Sequence, residues 1–162
     1  MPPVVSNSSP LIHLAKIGQL ELLKSFFGNL LVPHAVWQEC TATTGSGRPE
    51  IDLIRNSSSW IQTVKVHDRI VTLLRHDIDL GEAEAIALAL ERGASLLLLD
   101  DAEAREKARL YRIPVTGTLG ILLRARKEGL ILSLRKTLQE LAVSGFWLNP
   151  VLTESLIVAA GE

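Results

Sequence analysis

What the chain lacks narrows its identity first. Cys40 is the only cysteine, so no intrachain disulfide can form and no cysteine–histidine spacing resembles a zinc site. Aromatic residues make up only 4% of the sequence, which leaves core formation to aliphatic side chains. No apolar run approaches the ~20 residues of a membrane span. Met1-Pro2-Pro3-Val4-Val5 has neither the basic segment nor the apolar stretch of a signal peptide. A reducing cytoplasm and no membrane contact are therefore expected. Gly45-Ser46-Gly47 is no phosphate loop, because the lysine and hydroxyl residue that a P-loop requires are missing and Pro49 follows.

What is present fits an ordinary globular protein: 162 residues, 47% apolar and 22% charged, far from the signature of disorder. The length predicts one domain over 1–162, with a core to about residue 128 and a helical tail from about 129. The net charge of -1 hides an asymmetry. Residues 1–100 carry 8 basic and 11 acidic side chains, whereas residues 101–136 carry 9 and 4.

Strand and helix signals alternate along the chain. Val4-Val5-Ser6 reads as a buried strand, and Asn7-Ser8-Ser9-Pro10 supplies turn and cap chemistry for a helix that Gly18 stops. A helix over Leu20 to Phe27, a strand over Leu30 to Pro33 and a helix from Ala35 to Cys40 follow. Residues 41–49 are rich in turn formers, which predicts a mobile loop before a helix around Glu50 to Arg55. Trp60 to Val66 alternates apolar and polar residues, the pattern of a strand near a sheet edge. Helices are predicted at Arg69 to Arg75 and from Leu80 to Gly93, then a buried strand Leu96-Leu97-Leu98-Leu99. The chain continues with a helix from Ala102 to Tyr111, a strand Ile113 to Thr116, and helices near Leu119 to Lys127, Ser133 to Val143 and Val151 to Ala160. This alternation predicts an α/β fold with a parallel sheet covered by helices on both faces.

The C-terminal ends of parallel strands form the ligand-binding edge of such a layer. The helix carrying Glu82 and Glu84 runs antiparallel to the strand that ends at Asp100 and Asp101, so its start and that strand end meet at one edge. Asn7, after the first strand, reaches the same edge, and Glu39 can point back to it from the helix after the second strand. Each acid has a local explanation. Glu82 and Glu84 suit a helix start through the dipole, and Asp100 with Glu103 three residues later reads as a capping box. Carboxylates converging from separate segments nevertheless fit a hard divalent ion better than independent caps.

Four ordered motifs resemble those of PIN-domain proteins, including the VapC-type toxins. They are Val4-Val5-Ser6-Asn7-Ser8-Ser9-Pro10-Leu11-Ile12, Val32-Pro33-His34-Ala35-Val36-Trp37-Gln38-Glu39, Gly81-Glu82-Ala83-Glu84-Ala85-Ile86-Ala87-Leu88-Ala89 and Leu98-Leu99-Asp100-Asp101. The closest likeness, with Thr116-Gly117-Thr118-Leu119-Gly120, is to a branch described as predicted PIN-domain nucleic-acid-binding proteins. The resemblance implies a five-stranded parallel sheet and a Mg²⁺- or Mn²⁺-dependent ribonuclease, with an antitoxin protein and a second copy of the chain as partners. It places the metal on Asn7, Glu39, Glu82 and Asp100, makes Glu39, Glu82 and Asp100 catalytic, and gives Ser9, Asp101 and Thr118 auxiliary roles. Asn7 departs from the aspartate of most active members, so the set holds one charge fewer. A second reading therefore stands beside the nuclease: a weakly active or inactive PIN-fold protein that binds nucleic acid or a partner protein. A phosphoacceptor receiver domain is disfavoured, since it needs acids where Asn7-Ser8-Ser9 stands.

For RNA contact, Arg105, Arg109 and Arg112 fall at i, i+4 and i+7 and predict one basic stripe on the helix after Asp100. Thr116 and Thr118 precede a helix start, where a phosphate could bind or Thr118 could cap. His13 and His34 read as helix-surface or capping residues, and Trp37, Trp60 and Trp147 as core packers.

Overall fold

The computed structural model describes residues 2–42 and 47–162. The middle of the predicted loop, residues 43–46, lies outside them. In chain order the elements are β1 (Val4–Ser6), α1 (Ser8–Lys16), α2 (Glu21–Phe27), β2 (Leu30–Pro33), α3 (His34–Thr41), α4 (Pro49–Arg55) and β3 (Ile61–Val64). Then come α5 (Ile70–Leu74), α6 (Leu80–Arg92), β4 (Leu96–Leu98), α7 (Ala102–Leu110), β5 (Val115–Thr116), α8 (Thr118–Lys127), α9 (Leu134–Val143) and α10 (Pro150–Ala159).

The five strands are all parallel, in the order β3-β2-β1-β4-β5. From β1 the chain builds outward through β2 to β3, then crosses back to place β4 on the other side of β1. The crevice between the ends of β1 and β4 is therefore the topological switch point, where ligands of open α/β sheets bind. Strand β3 is an edge strand, as its alternation predicts, and its middle residues Gln62 and Thr63 are exposed. β5 is shorter than predicted, because only Val115 and Thr116 pair with β4.

Side-chain alternation divides the core between the two sheet faces. Val4, Leu30, Val32 and Leu98 pack with α1, α2, α8 and α9, whereas Val5, Leu31, Leu97 and Leu99 pack with α5, α6 and α7. α6 is buried on nearly every side, from Gly81 and Ala83 through Ala89. Its alanines let it approach the sheet closely, and Gly93 ends it in the left-handed conformation that glycine adopts without strain. At the tail, the Glu162 carboxylate accepts from the backbone N–H groups of Leu134 and Arg135 and from the Ser133 hydroxyl, and it pairs with Arg126. These bonds satisfy open donors at the α9 start and hold the Glu162 carboxyl down at about 2, chiefly through the Leu134 N–H. No helix among the described residues is long and apolar enough to cross a membrane.

Candidate metal and nucleic-acid site

Three consecutive residues at the exit of β1 organise the switch-point edge. Ser6 pairs in register with Leu98, and the Asn7 N–H donates to the Leu98 carbonyl at 2.9 Å, which sets Asn7 beside the end of β4. Asn7 is buried, and its side-chain Oδ1 has no hydrogen-bond partner among the described residues. The Ser8 hydroxyl donates to Glu39 Oε2 at 2.6 Å, and the Ser9 hydroxyl donates to Asp100 Oδ2 at 2.9 Å. The start of α1 thus ties a carboxylate from α3 through Ser8 and a carboxylate from the end of β4 through Ser9, next in sequence to the unsatisfied Asn7.

Two glycines make room for those carboxylates. A Cβ on Gly81 would lie 2.5 Å from Glu39 Oε1, and a Cβ on Gly117 would lie 2.5 Å from Asp100 Oδ1. Asp100 also accepts the Thr118 N–H at Oδ1 and the Thr118 hydroxyl at Oδ2, both at 2.7 Å. Thr118 is therefore the first residue of α8 rather than its cap, which is Gly117. The anion at this helix start is the protein's own Asp100, held by the Thr118 N–H and hydroxyl.

Asp101, not Asp100, caps α7: its side chain accepts the Ala104 N–H at 2.8 Å. The predicted capping box from Asp100 to Glu103 is thereby corrected, and Asp100 is left for the pocket. The real capping box lies earlier. Asp79 accepts the Glu82 N–H at 2.8 Å, and Glu82 Oε2 accepts the Asp79 N–H at 3.2 Å. The Asp79-Leu80-Gly81-Glu82 spacing carried that signal in the sequence.

Glu82 consequently turns back on its own helix. Burial, reinforced by the charges of Asp79, Asp101 and Glu39, pushes its carboxyl up to about 7. Glu84, expected only at a helix start, is buried, and burial raises its carboxyl too, with His34, Glu39, His67 and Arg75 as charged neighbours. Among the described residues, no three of His, Cys, Asp and Glu are gathered closely enough to cage an ion. Glu39, Glu82 and Asp100 do not form the expected trio: Ser8 and Ser9 tie Glu39 and Asp100 to the start of α1, and Glu82 is held by its capping box.

The donor set still fits a hard cation. Mg²⁺ is usually held by one or two carboxylates while keeping several of its waters. Asn7 Oδ1, Glu39 and Asp100 supply one amide oxygen and two carboxylates, and a buried carbonyl oxygen without a donor is costly unless something electropositive meets it.

The basic stripe on α7 does not form as expected. Arg105 is half-buried, its Nε has no partner among the described residues, and its Nη1 would lie 3.4 Å from a Cβ on Gly117, on the same bare backbone that Asp100 approaches. Arg109 is exposed and pairs with Glu106 at 3.7 Å. Arg112 lies beyond the helix, which ends at Leu110, with φ at 59°. One arginine therefore turns toward the acidic edge, while Arg109 pairs with Glu106 and Arg112 follows the helix end. On α1, His13 stands one turn after Ser9, with a buried Nδ1 that has no partner and its ring edge-on to Phe146 at 4.8 Å. Burial lowers its pKa, opposed by the charge of Asp100. Cys40 is buried, and its thiol is pushed up to about 12, which makes it inert.

A doubly wound parallel sheet with oxygen donors at its switch point defines a class of α/β proteins that bind ligands between the ends of adjacent strands. Residues 3–162 match a family model described as a PIN domain. The chain belongs to the PIN-domain family, whose fold is of the nuclease type and implies contact with nucleic acid. Comparison with curated proteins gives no match.

Proposed function

We propose that this chain is a divalent-metal-dependent endoribonuclease that cleaves single-stranded or structured RNA. The observation that supports it most is the run Asn7-Ser8-Ser9, which leaves one amide oxygen unsatisfied among the described residues and fastens Glu39 through Ser8 and Asp100 through Ser9. In this reading Asn7, Glu39 and Asp100 hold Mg²⁺ or Mn²⁺, Glu82 joins them only on leaving its capping box, Ser9 and Thr118 orient Asp100, and Asp101 fixes the start of α7. When bound, the ion supplies positive charge to the phosphate oxygens and makes water a better nucleophile. Glu82, with its carboxyl raised toward neutrality, is the group best suited to hold or release a proton there, once it gives up its reach to Asp79. Arg105 offsets the negative edge so that an RNA phosphate can approach, with Arg109 and Arg112 as outlying charges.

A toxin of a toxin–antitoxin pair, dimeric and cytoplasmic, belongs to the same reading. The exposed apolar side chains Val151, Leu152 and Val158 on α10 support a protein contact on the tail. A second reading, an inactive PIN-fold protein that only binds, is favoured by one residue: Asn7 brings no charge to the metal.

The test is cleavage of single-stranded RNA with Mn²⁺ or Mg²⁺. Cleavage is expected to stop with a chelator and in Asp100→Asn, with the melting temperature held within a few degrees. RNA binding without cleavage would select the second reading, and equal cleavage by Asp100→Asn would reject the site.

A further inference from the structure

We propose that a single-stranded RNA segment leaves the acidic pocket along α1, crosses the groove between the C-terminal end of α1 and α9, and stacks a base on Trp147. The inference rests on the nuclease reading and assigns the path of its substrate. The path predicted on α7 is disrupted, because Arg109 is paired and Arg112 lies past the helix end.

α1 offers the alternative. Ser9, which holds Asp100, is followed on the same helix face by His13 and then Lys16, at i, i+4 and i+7. At ~1.5 Å per residue these seven steps span about 10 Å away from the pocket. There Lys16 meets α9 in an open groove shared with Lys136, Glu140 and Val143. Lys16 and Lys136 are exposed and form no ion pair among the described residues, unlike Arg124, Arg126 and Arg135. Two uncommitted cations against one acid give the groove the sign that a phosphate backbone requires.

Trp147 supplies the stacking surface. Phe146 turns inward onto His13, and the next residue, Trp147, is left 77% exposed. The other tryptophans are covered, Trp60 at 5% exposure and Trp37 partly buried against the core. A large exposed aromatic ring three residues past Ser144, which lines the groove with the two unpaired lysines, is the combination that single-strand binders use. An apolar protein partner would be served by Trp147 but not by the two lysines.

The test uses the full chain with EDTA, so that binding is read without cleavage, and a fluorescein-labelled single-stranded RNA of about ten nucleotides. RNA is expected to quench tryptophan emission in the wild type and much less in Trp147→Phe, since Trp147 is the exposed indole. Trp147→Ala is expected to weaken binding by about 5- to 100-fold in anisotropy, with Trp147→Phe recovering most of the loss. Lys16→Ala with Lys136→Ala is expected to flatten the plot of log affinity against log salt by about 1.4. Unchanged affinity, quenching and salt slope in all variants would overturn the path and leave the nuclease reading intact. Unchanged RNA affinity with loss of self-association in Trp147→Ala would assign the ring to a protein interface instead. Failure of the wild type to bind RNA would overturn the path, and cleavage with Mn²⁺ then decides the nuclease reading separately.

Discussion

Among the described residues Asn7 Oδ1 is a buried acceptor without a donor, and the hydroxyls that follow it in sequence are taken up by other acceptors. Ser8 and Ser9 spend their hydroxyls on Glu39 and Asp100, and Thr118 spends both of its donors on Asp100. Hydrogen bonds to a charged acceptor contribute about 1.5–3 kcal/mol each, so Ser9→Ala should destabilise by roughly that amount and loosen Asp100. Gly117→Ala is a sharper probe, because its methyl would meet both Asp100 Oδ1 and the Leu99 carbonyl. It is expected to cost about 1–3 kcal/mol in denaturant unfolding and to abolish cation binding. Glu82 gives a pH signature. Its carboxyl lies near 7 in the folded chain against 4.5 otherwise, so between those values the folded state keeps a proton that the unfolded chain has released. Stability should therefore fall as pH rises through that window, and Glu82→Gln should flatten the fall in melting temperature measured with EDTA. An identical pH slope in Glu82→Gln would assign the dependence to another group.

At the scale of elements, α6 decides how far Glu82 can serve the pocket. Asp79→Ala should cost the helix about 1 kcal/mol through loss of the cap while releasing Glu82 from its box. Destabilisation together with tighter Mn²⁺ binding is the expected pair of outcomes. Ala87→Leu, on the buried side of α6, should cost about 1–3 kcal/mol by overpacking, read in denaturant melts. Much of this level was legible in the chain. The leucine run of β4, the alternation of β3 and the glycine stops at Gly18, Gly28 and Gly93 mark elements that form where predicted. What failed was choosing between equivalent local signals. Two acidic residues in a row, Asp100 and Asp101, offer the same cap chemistry, and only the approach of the α8 start to Asp100 leaves Asp101 as the cap. The stripe to Arg112 needed the helix to run two residues past Leu110, whereas Ala108 already accepts from Ile113 as the chain turns into β5. Ser8 was overlooked because its partner Glu39 is 31 residues away, a contact that no local pattern announces.

Across the whole molecule, the basic excess of residues 101–136 is largely committed inside the chain. Arg124 pairs with Glu128 at 2.9 Å and covers the Phe26 ring at 4.1 Å, and Lys107 pairs with Asp77. Arg126 and Glu162 join α8 to the tail. Glu162 sets the acid limit of that junction. Its carboxyl is held near 2 against 4.5 otherwise, so the stability it contributes is present above 4.5 and is lost as pH falls toward 2. Glu162→Gln should reduce the acid sensitivity of unfolding, followed by circular dichroism. At the switch-point edge the two carboxylates are tied down by Ser8, Ser9 and Thr118, and Asn7 Oδ1 is the acceptor that stays unpartnered among the described residues. The most direct measurement is a calorimetric Mn²⁺ titration of wild type, Asn7→Asp and Asp100→Asn at neutral pH. Wild type should bind, Asn7→Asp should bind about tenfold tighter through the added charge, and Asp100→Asn should not bind. Binding by neither wild type nor Asn7→Asp, or equal binding by all three, would contradict a cation site built on Asn7, Glu39 and Asp100.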